Sequence, residues 1–152
     1  MELEEAKQKI FRYCAYQERC HSEVRNKLYE YGLYRPDIDN IISFLITEGF
    51  LNEERFAKAY AGGKFRIKQW GKLKIQLELE LRGLTKNCIK IGLKEIDDAD
   101  YTKTLEGLIL KKQSQLDEEN KFVLRDKIAQ YVIQKGYEPE LVWSTIKSVI
   151  PK

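Results

Sequence analysis

Long apolar runs are missing from this chain. None approaches the roughly 20 residues that carry a helix across a bilayer, which argues against a membrane-spanning protein. The opening residues, Met1-Glu2-Leu3-Glu4-Glu5, are acidic and lack a basic segment followed by an apolar one, so no secretory signal is expected. Proline and glycine are scarce, three and nine in 152 residues, and that disfavours a disordered or loop-rich protein. Cys14, Cys20 and Cys88 are an odd set without CxxC spacing, which fits free thiols in a reducing cytoplasm rather than a disulfide framework. Histidine occurs once, as His21 directly ahead of the expected helix cap Ser22. That position suits a surface or capping-turn residue better than a general base.

What is present supports a folded, well-solvated protein: 43% of residues are hydrophobic and 34% are charged. A net charge of +3 is too small to identify a partner by itself, so the distribution of charge has to do so. The length suits one ordinary domain or a few very small units.

Organisation is visible at three glycines. Gly32, Gly83 and Gly136 lie 51 and 53 residues apart, each after an amphipathic stretch. Eight and four residues before them stand Val24/Ile75/Ile128 and Leu28/Leu79/Val132; six and ten after them stand Ile38/Ile89/Val142 and Ile42/Leu93/Ile146. The next residue is Leu33, Leu84 or Tyr137. Apolar positions at this spacing on both sides of a glycine predict helix, glycine cap and second helix, three times over. A further helix precedes each pair, marked by Leu3, Ile10 and Cys14, by Phe56, Ala59, Tyr60, Gly63 and Ile67, and by Leu105, Leu108, Ile109 and Leu116. Asn52 can cap a helix beginning with Glu53 and Glu54, while Ser22, Thr85 and Pro139 stand where second or third helices should begin. The expectation is an all-α, elongated array of three tandem three-helix repeats spanning about 1–51, 52–97 and 98–152, packed together because units of this size bury little apolar area alone. One segment points elsewhere. Leu73, Ile75, Leu77, Leu79 and Leu81 alternate with polar residues as in a strand, but Leu, Lys, Gln and Glu favour helix and only Ile75 is β-branched. Helix is the reading adopted.

Catalytic chemistry finds little support. Gly62-Gly63 lies inside a predicted helix without phosphate-loop spacing and suits a kink or a close helix approach. Cys14, Cys20 and His21 do not match zinc-ligand spacing. The acidic clusters Glu2/Glu4/Glu5, Asp97/Asp98/Asp100 and Asp117/Glu118/Glu119 fall near predicted helix ends, where solvated caps explain them. The basic residues say more. From Arg55 to Leu77 there are seven, Arg55, Lys58, Lys64, Arg66, Lys68, Lys72 and Lys74, and no acid; Phe56, Tyr60, Phe65 and Trp70 are interleaved. Lys86, Lys90 and Lys94 then recur at every fourth position. Phe56, Tyr60 and Trp70 read first as core, whereas so long a stretch without an acid reads as a surface for phosphates or for an acidic protein groove. The candidate contacts are Lys58, Lys64, Arg66, Lys68, Trp70, Lys72, Lys74, Lys86, Lys90 and Lys94.

Three helices with a glycine turn before the last also resemble a helix-turn-helix, whose reading helix should be basic. The first unit's third helix carries Asp37, Asp39 and Glu48 with no Lys or Arg between Asp37 and Glu48, and the third unit's opens with Glu138 and Glu140. Only the middle unit complies. A transcription factor using that single helix-turn-helix is therefore the alternative function.

Two motifs carry a family resemblance. Arg19-x-x-Ser22-x-x-x-x-Lys27-Leu28-x-x-x-Gly32 resembles the opening signature of the RecX family of bacterial recombinase regulators. Gly49-Phe50-Leu51-Asn52-Glu53-Glu54-Arg55-Phe56-Ala57, followed by Trp70-Gly71-x-x-Lys74-Ile75-x-x-x-Leu79-x-x-x-Gly83-Leu84, is similar to the family's most recognisable stretch. After about Asp98 the chain matches by pattern alone. Where the family commonly has Asp beside Phe-Ala, this chain has Asn52-Glu53, which keeps the cap and the acidic first turn. The resemblance implies a non-enzymatic array of three-helix repeats, and the chain is expected to be a cytoplasmic monomer without metal or cofactor. It implies binding to the RecA recombinase filament on single-stranded DNA, along its groove, and restraint of its ATPase and strand-exchange activities in recombination and DNA repair. Contact with single- or double-stranded DNA through the middle unit is expected from the basic block, and the motif residues themselves read as structural.

Overall fold

Gly32, Gly83 and Gly136 all have positive φ, +85°, +82° and +106°, in the computed structural model of the chain, which describes residues 1–150. At each, the amide of the following residue bonds back across the turn: Leu33 to the Leu28 carbonyl, Leu84 to Leu79, and Tyr137 to Val132, at 3.2, 3.3 and 3.3 Å. This is the left-handed glycine cap of a Schellman ending, which satisfies carbonyls that a helix end would leave unpaired.

Among the described residues there are nine α-helices and no strand: α1 Leu3–Tyr16, α2 His21–Glu30, α3 Arg35–Thr47, α4 Glu53–Gly63, α5 Lys72–Leu81, α6 Lys86–Leu93, α7 Asp98–Gln115, α8 Lys121–Gln134 and α9 Pro139–Val149. They follow one another as three successive sets of three. The apolar template is buried almost throughout. Val24, Ile75, Ile128, Leu28, Leu79, Val132, Ile38, Val142 and Ile146 are all fully inaccessible. Asn52 accepts the Arg55 amide at 2.9 Å, and Asp97 accepts that of Asp100 at 3.0 Å, so both cap the helices they precede.

The alternating segment is helix α5, and its alternation has a consequence there. Ile75 and Leu79, four apart, are fully buried, whereas Leu73, Leu77 and Leu81 line a different face and are 45%, 54% and 73% exposed. Three other details differ from the sequence reading. Helix α2 starts at His21 with Cys20 as its cap, and the Glu23 carboxylate closes the turn on the Cys20 amide at 3.1 Å. Ser22 thus lies inside the helix, where its hydroxyl donates to the Arg82 carbonyl at 3.1 Å. Helix α4 buries Phe56, Ala57 and Ala61 rather than Ala59, and it ends at Gly63. A π-helical turn, Lys64–Lys68, follows it, so the stripe does not continue to Ile67, which is 80% exposed.

By internal packing the chain divides into two compact units, Met1–Ala59 with Leu79–Gly92, and Tyr60–Glu78 with the chain from Leu93 onward. In the first, α1, α2 and α3 enclose Ala6, Ile10, Val24, Leu28, Ile38 and Leu45. Gly92 of α6 meets Ala57 of α4 so closely that a Cβ on Gly92 would lie 2.7 Å from the Ala57 side chain. His21, read from the sequence as a surface or capping-turn residue, and Arg55, read as part of the basic stretch, both make contacts within this unit. The His21 amide donates to Glu53 at 3.1 Å, and Arg55 donates to Glu18 at 2.6 Å and to the Gly49 carbonyl at 2.9 Å. In the second unit, α7, α8 and α9 pack around Tyr101, Leu105, Ile109, Ile128, Val132 and Ile146.

Candidate nucleic-acid and partner interface

The basic stretch runs from α4, which carries Arg55 and Lys58, through the π-helical turn and the three residues after it to the start of α5. A π turn widens the helix by one residue and commonly marks a functional place. Here it closes at Gln69, whose amide bonds back to the Lys64 and Phe65 carbonyls and whose φ of +58° is the only positive value at a non-glycine residue described. Phe65 is the apolar anchor of the turn. Its ring meets Tyr101 at 5.8 Å, and Tyr101 stacks on Tyr137 at 5.0 Å.

Trp70 follows, and the chain is strapped down on both sides of it. The Tyr137 hydroxyl donates to the Gln69 carbonyl at 3.0 Å. The Gly71 amide donates to the Lys135 carbonyl at 2.8 Å, and the Leu73 amide to that of Gly136 at 2.9 Å. The Lys72 amide donates to the Tyr101 hydroxyl at 2.9 Å, and that hydroxyl in turn donates to Glu138. Glycine is required at both crossing points. A Cβ on Gly71 would fall 2.2 Å from the Gly136 carbonyl carbon, and one on Gly136 would fall 2.4 Å from the Lys74 Cβ. Burial raises the hydroxyl pKa of both tyrosines; the bond to Glu138 raises Tyr101 further, and the Glu138 charge raises Tyr137. Both are therefore neutral hydrogen-bonding groups over the whole physiological range.

Held this way, Trp70 gathers two cations. The ammonium groups of Lys64 and Lys74 lie 5.1 and 4.5 Å from its ring centre, and Lys64 also stands 5.4 Å from the ring of Tyr60. Such contacts are worth about 0.5–1 kcal/mol at exposed sites, enough to orient a lysine but too little to hold it against a phosphate. Lys72 behaves differently. Its ammonium group turns to Asp98 at 3.3 Å and over Tyr101 at 4.6 Å. Arg66 and Lys68 are exposed on the π turn, and the Arg66 guanidinium folds back so closely that a Cβ on Gly62 would lie 2.7 Å from it. Beside it a shallow open cleft of about 290 Å³ is lined by Phe65, Arg66, Gln69, Asp100, Lys103 and Thr104.

The candidate residues fall in both units. Lys64, Arg66, Lys68, Trp70, Lys72, Lys74 and Lys94 belong to the second, and Lys58, Lys86 and Lys90 to the first. Lys86 and Lys90 are exposed one turn apart on α6, and Lys94 is exposed just beyond its end. Tyr101, Tyr137 and Gln69, which shape the Trp70 region, were not among the candidate contacts named from the sequence. One signal pointed to Tyr137 alone: at the position after the glycine it stands where the other two repeats have leucine. Among the described residues no group of three His, Cys, Asp or Glu side chains is positioned to share a metal ion, and no helix is long and apolar enough to cross a membrane.

Comparison with known proteins agrees with this architecture. Residues 6–45 match the family model for the first three-helix domain of RecX, and residues 52–93 match that for the second. The regulatory protein RecX of Clostridium perfringens strain 13 is 30% identical over 131 residues, which cover 85% of this chain and 61% of that protein. The regulatory protein RecX of Listeria welshimeri is 26% identical over 149 residues, 92% of this chain and 55% of that one. The chain therefore spans about three fifths of the length of these relatives. The crystal structure of RecX from Lactobacillus salivarius superposes with a TM-score of 0.87 at 22% identity, covering 97% of this chain and 96% of that one. A second RecX crystal structure gives 0.85 at 20% identity, covering 96% and 71%.

Proposed function

The chain belongs to the RecX family of regulatory proteins, and from that premise we propose that it binds the RecA recombinase filament on single-stranded DNA and restrains its ATPase and strand-exchange activities. It acts in the cytoplasm as a monomer, by binding rather than by catalysis, and needs no metal or cofactor. The repeats 1–51, 52–97 and 98–152 are its building blocks. The contact surface is the basic middle of the chain, Lys58, Lys64, Arg66, Lys68, Trp70, Lys72, Lys74, Lys86, Lys90 and Lys94. The observation that carries this reading is the stretch from Arg55 to Leu77, with seven cations and no acid. Around Trp70 two of those cations rest on an aromatic ring instead of on a carboxylate. Lysines so placed are available to phosphate or to an acidic protein surface.

The test is binding to RecA-coated single-stranded DNA, measured by anisotropy of a labelled strand against plain duplexes of varied sequence. A filament regulator binds the coated strand and treats all duplexes alike. A transcription factor reading through α6 loses about 1–3 kcal/mol for each wrong base pair. Indifference to the coated strand, or strong preference for one duplex sequence, would reject the proposal.

A further inference from the structure

Trp70 stands between two anchored residues, with Gln69 held by the Tyr137 hydroxyl and Gly71 by the Lys135 carbonyl. Its ring is half-buried and bears the ammonium groups of Lys64 and Lys74, and no ion pair ties either lysine to a carboxylate among the described residues. All three side chains belong to one compact unit, so the arrangement is fixed by local packing. Phe65, Tyr101 and Tyr137 pack ring against ring and anchor the turn that carries Trp70.

We propose that Trp70, Lys64 and Lys74 form a subsite for single-stranded nucleic acid, in which the two ammonium groups take phosphodiester oxygens and the indole stacks one base. The cation–π contacts are the resting state. They keep two flexible side chains close to the site, so little ordering remains to be done when a strand arrives. A charge-assisted bond to a phosphate is stronger than a lysine's contact with a ring, so the lysines exchange the indole for the backbone. The ring surface they release is then open to a base. An indole on a rigid turn between two cations is the combination by which non-sequence-specific single-strand binders work. In a duplex the bases are already stacked on one another, so a duplex meets the lysines but not the ring. Single strands are therefore preferred. This deepens the reading of the basic stretch as a contact surface, yet it needs no recombinase and is testable without one.

The full chain contains two tryptophans, so Trp143→Phe leaves Trp70 as the sole indole reporter. This variant is titrated with an oligothymidylate of about twelve nucleotides and with a duplex of the same length, at several salt concentrations. Trp70 emission should be quenched by the single strand and not by the duplex. In the natural chain, Trp70→Ala should weaken single-strand binding about tenfold and leave duplex binding unchanged, while Trp70→Phe keeps most of the affinity. Lys64→Gln and Lys74→Gln should each flatten the dependence of log affinity on log salt by about 0.7. Circular dichroism confirms that each variant is folded, and the Phe variant covers the case in which Ala disturbs the turn. The proposal is overturned if emission stays unchanged while the strand binds, if duplex quenches equally, or if Trp70→Ala binds the strand as well as the natural chain. Loss of the subsite with filament binding intact would refute this inference alone, and a working subsite on a chain that ignores the filament would refute the proposed function alone.

Discussion

Replacing Gly71 with alanine should destabilise the protein far more than a one-carbon change usually does. The new Cβ would lie 2.2 Å from the Gly136 carbonyl carbon and 2.3 Å from the Tyr137 nitrogen, which are backbone atoms that no rotamer change can move aside. Two segments must separate, and the bonds from Gly71 to Lys135 and from Leu73 to Gly136 lengthen with them. Overpacking of this kind costs about 1–3 kcal/mol, and each weakened backbone bond about 1 kcal/mol. A total of about 3–5 kcal/mol lowers the Tm of a chain this size by roughly 6–20 °C. Gly107 is the internal control. It is exposed within α7 and nothing lies within 4 Å of where its Cβ would be, so Gly107→Ala removes a flexible helix residue without a clash. That change should stabilise by about 1 kcal/mol and raise Tm by roughly 2–4 °C. Thermal melts followed by far-UV circular dichroism read both variants. Equal melting temperatures for Gly71→Ala and the natural chain would refute the crossing of Gly71 with Gly136, and with it the anchored turn that presents Trp70.

The two apolar faces of α5 predict opposite responses. Ile75→Ala should cost about 2–5 kcal/mol and Leu77→Ala stay within about 0.5 kcal/mol, and similar urea midpoints for the two would contradict the helical register. Folding raises the hydroxyl pKa of Tyr101 and Tyr137 above the unfolded value of about 10, so their contribution is intact below about pH 10 and is lost as pH climbs above it. Alkaline melts should therefore show stability falling from about pH 10 upward, less steeply in Tyr101→Phe; an unaltered slope in that variant would disprove the assignment. Reversing Lys64, Lys68 and Lys74 together to Glu should weaken filament binding and flatten its salt dependence, with stability moved by only about 0.5 kcal/mol per site. Undiminished binding by a folded triple variant would send the search for the contact to other surfaces.

Much of the fold could be read from the chain because its information is local. A glycine at C′ flanked by apolar residues at helical spacing names both the turn and the buried face, and Gly32, Gly83 and Gly136 adopt that left-handed conformation. The strand-like alternation of Leu73 to Leu81 was resolved by helix propensity, although propensity could not tell which leucines stay in water. The π turn escaped the reading because one extra residue in the ladder leaves no periodic trace over five residues, and Ile67 was assigned to a stripe that stops before it. Cys20 escaped as a cap because a thiol is a poor acceptor beside the neighbouring hydroxyl of Ser22. The Trp70 region is legible only in part. Its lysines stand out by charge, but the docking of Gly71 on Gly136 joins segments far apart in the chain, and no local pattern encodes it. For the same reason Lys72, which looked like its neighbours Lys68 and Lys74, is drawn instead to Asp98 of α7.

The proposed restraint of a RecA filament should be visible in the single-stranded-DNA-dependent ATPase of RecA. RecA is assembled on the strand with ATP, this chain is added in increasing proportion, and the rate of hydrolysis is followed at steady state. The rate should fall progressively with added chain, and fall less with the Lys64, Lys68 and Lys74 reversal. A rate that stays constant up to a large molar excess of folded chain would contradict the proposed restraint.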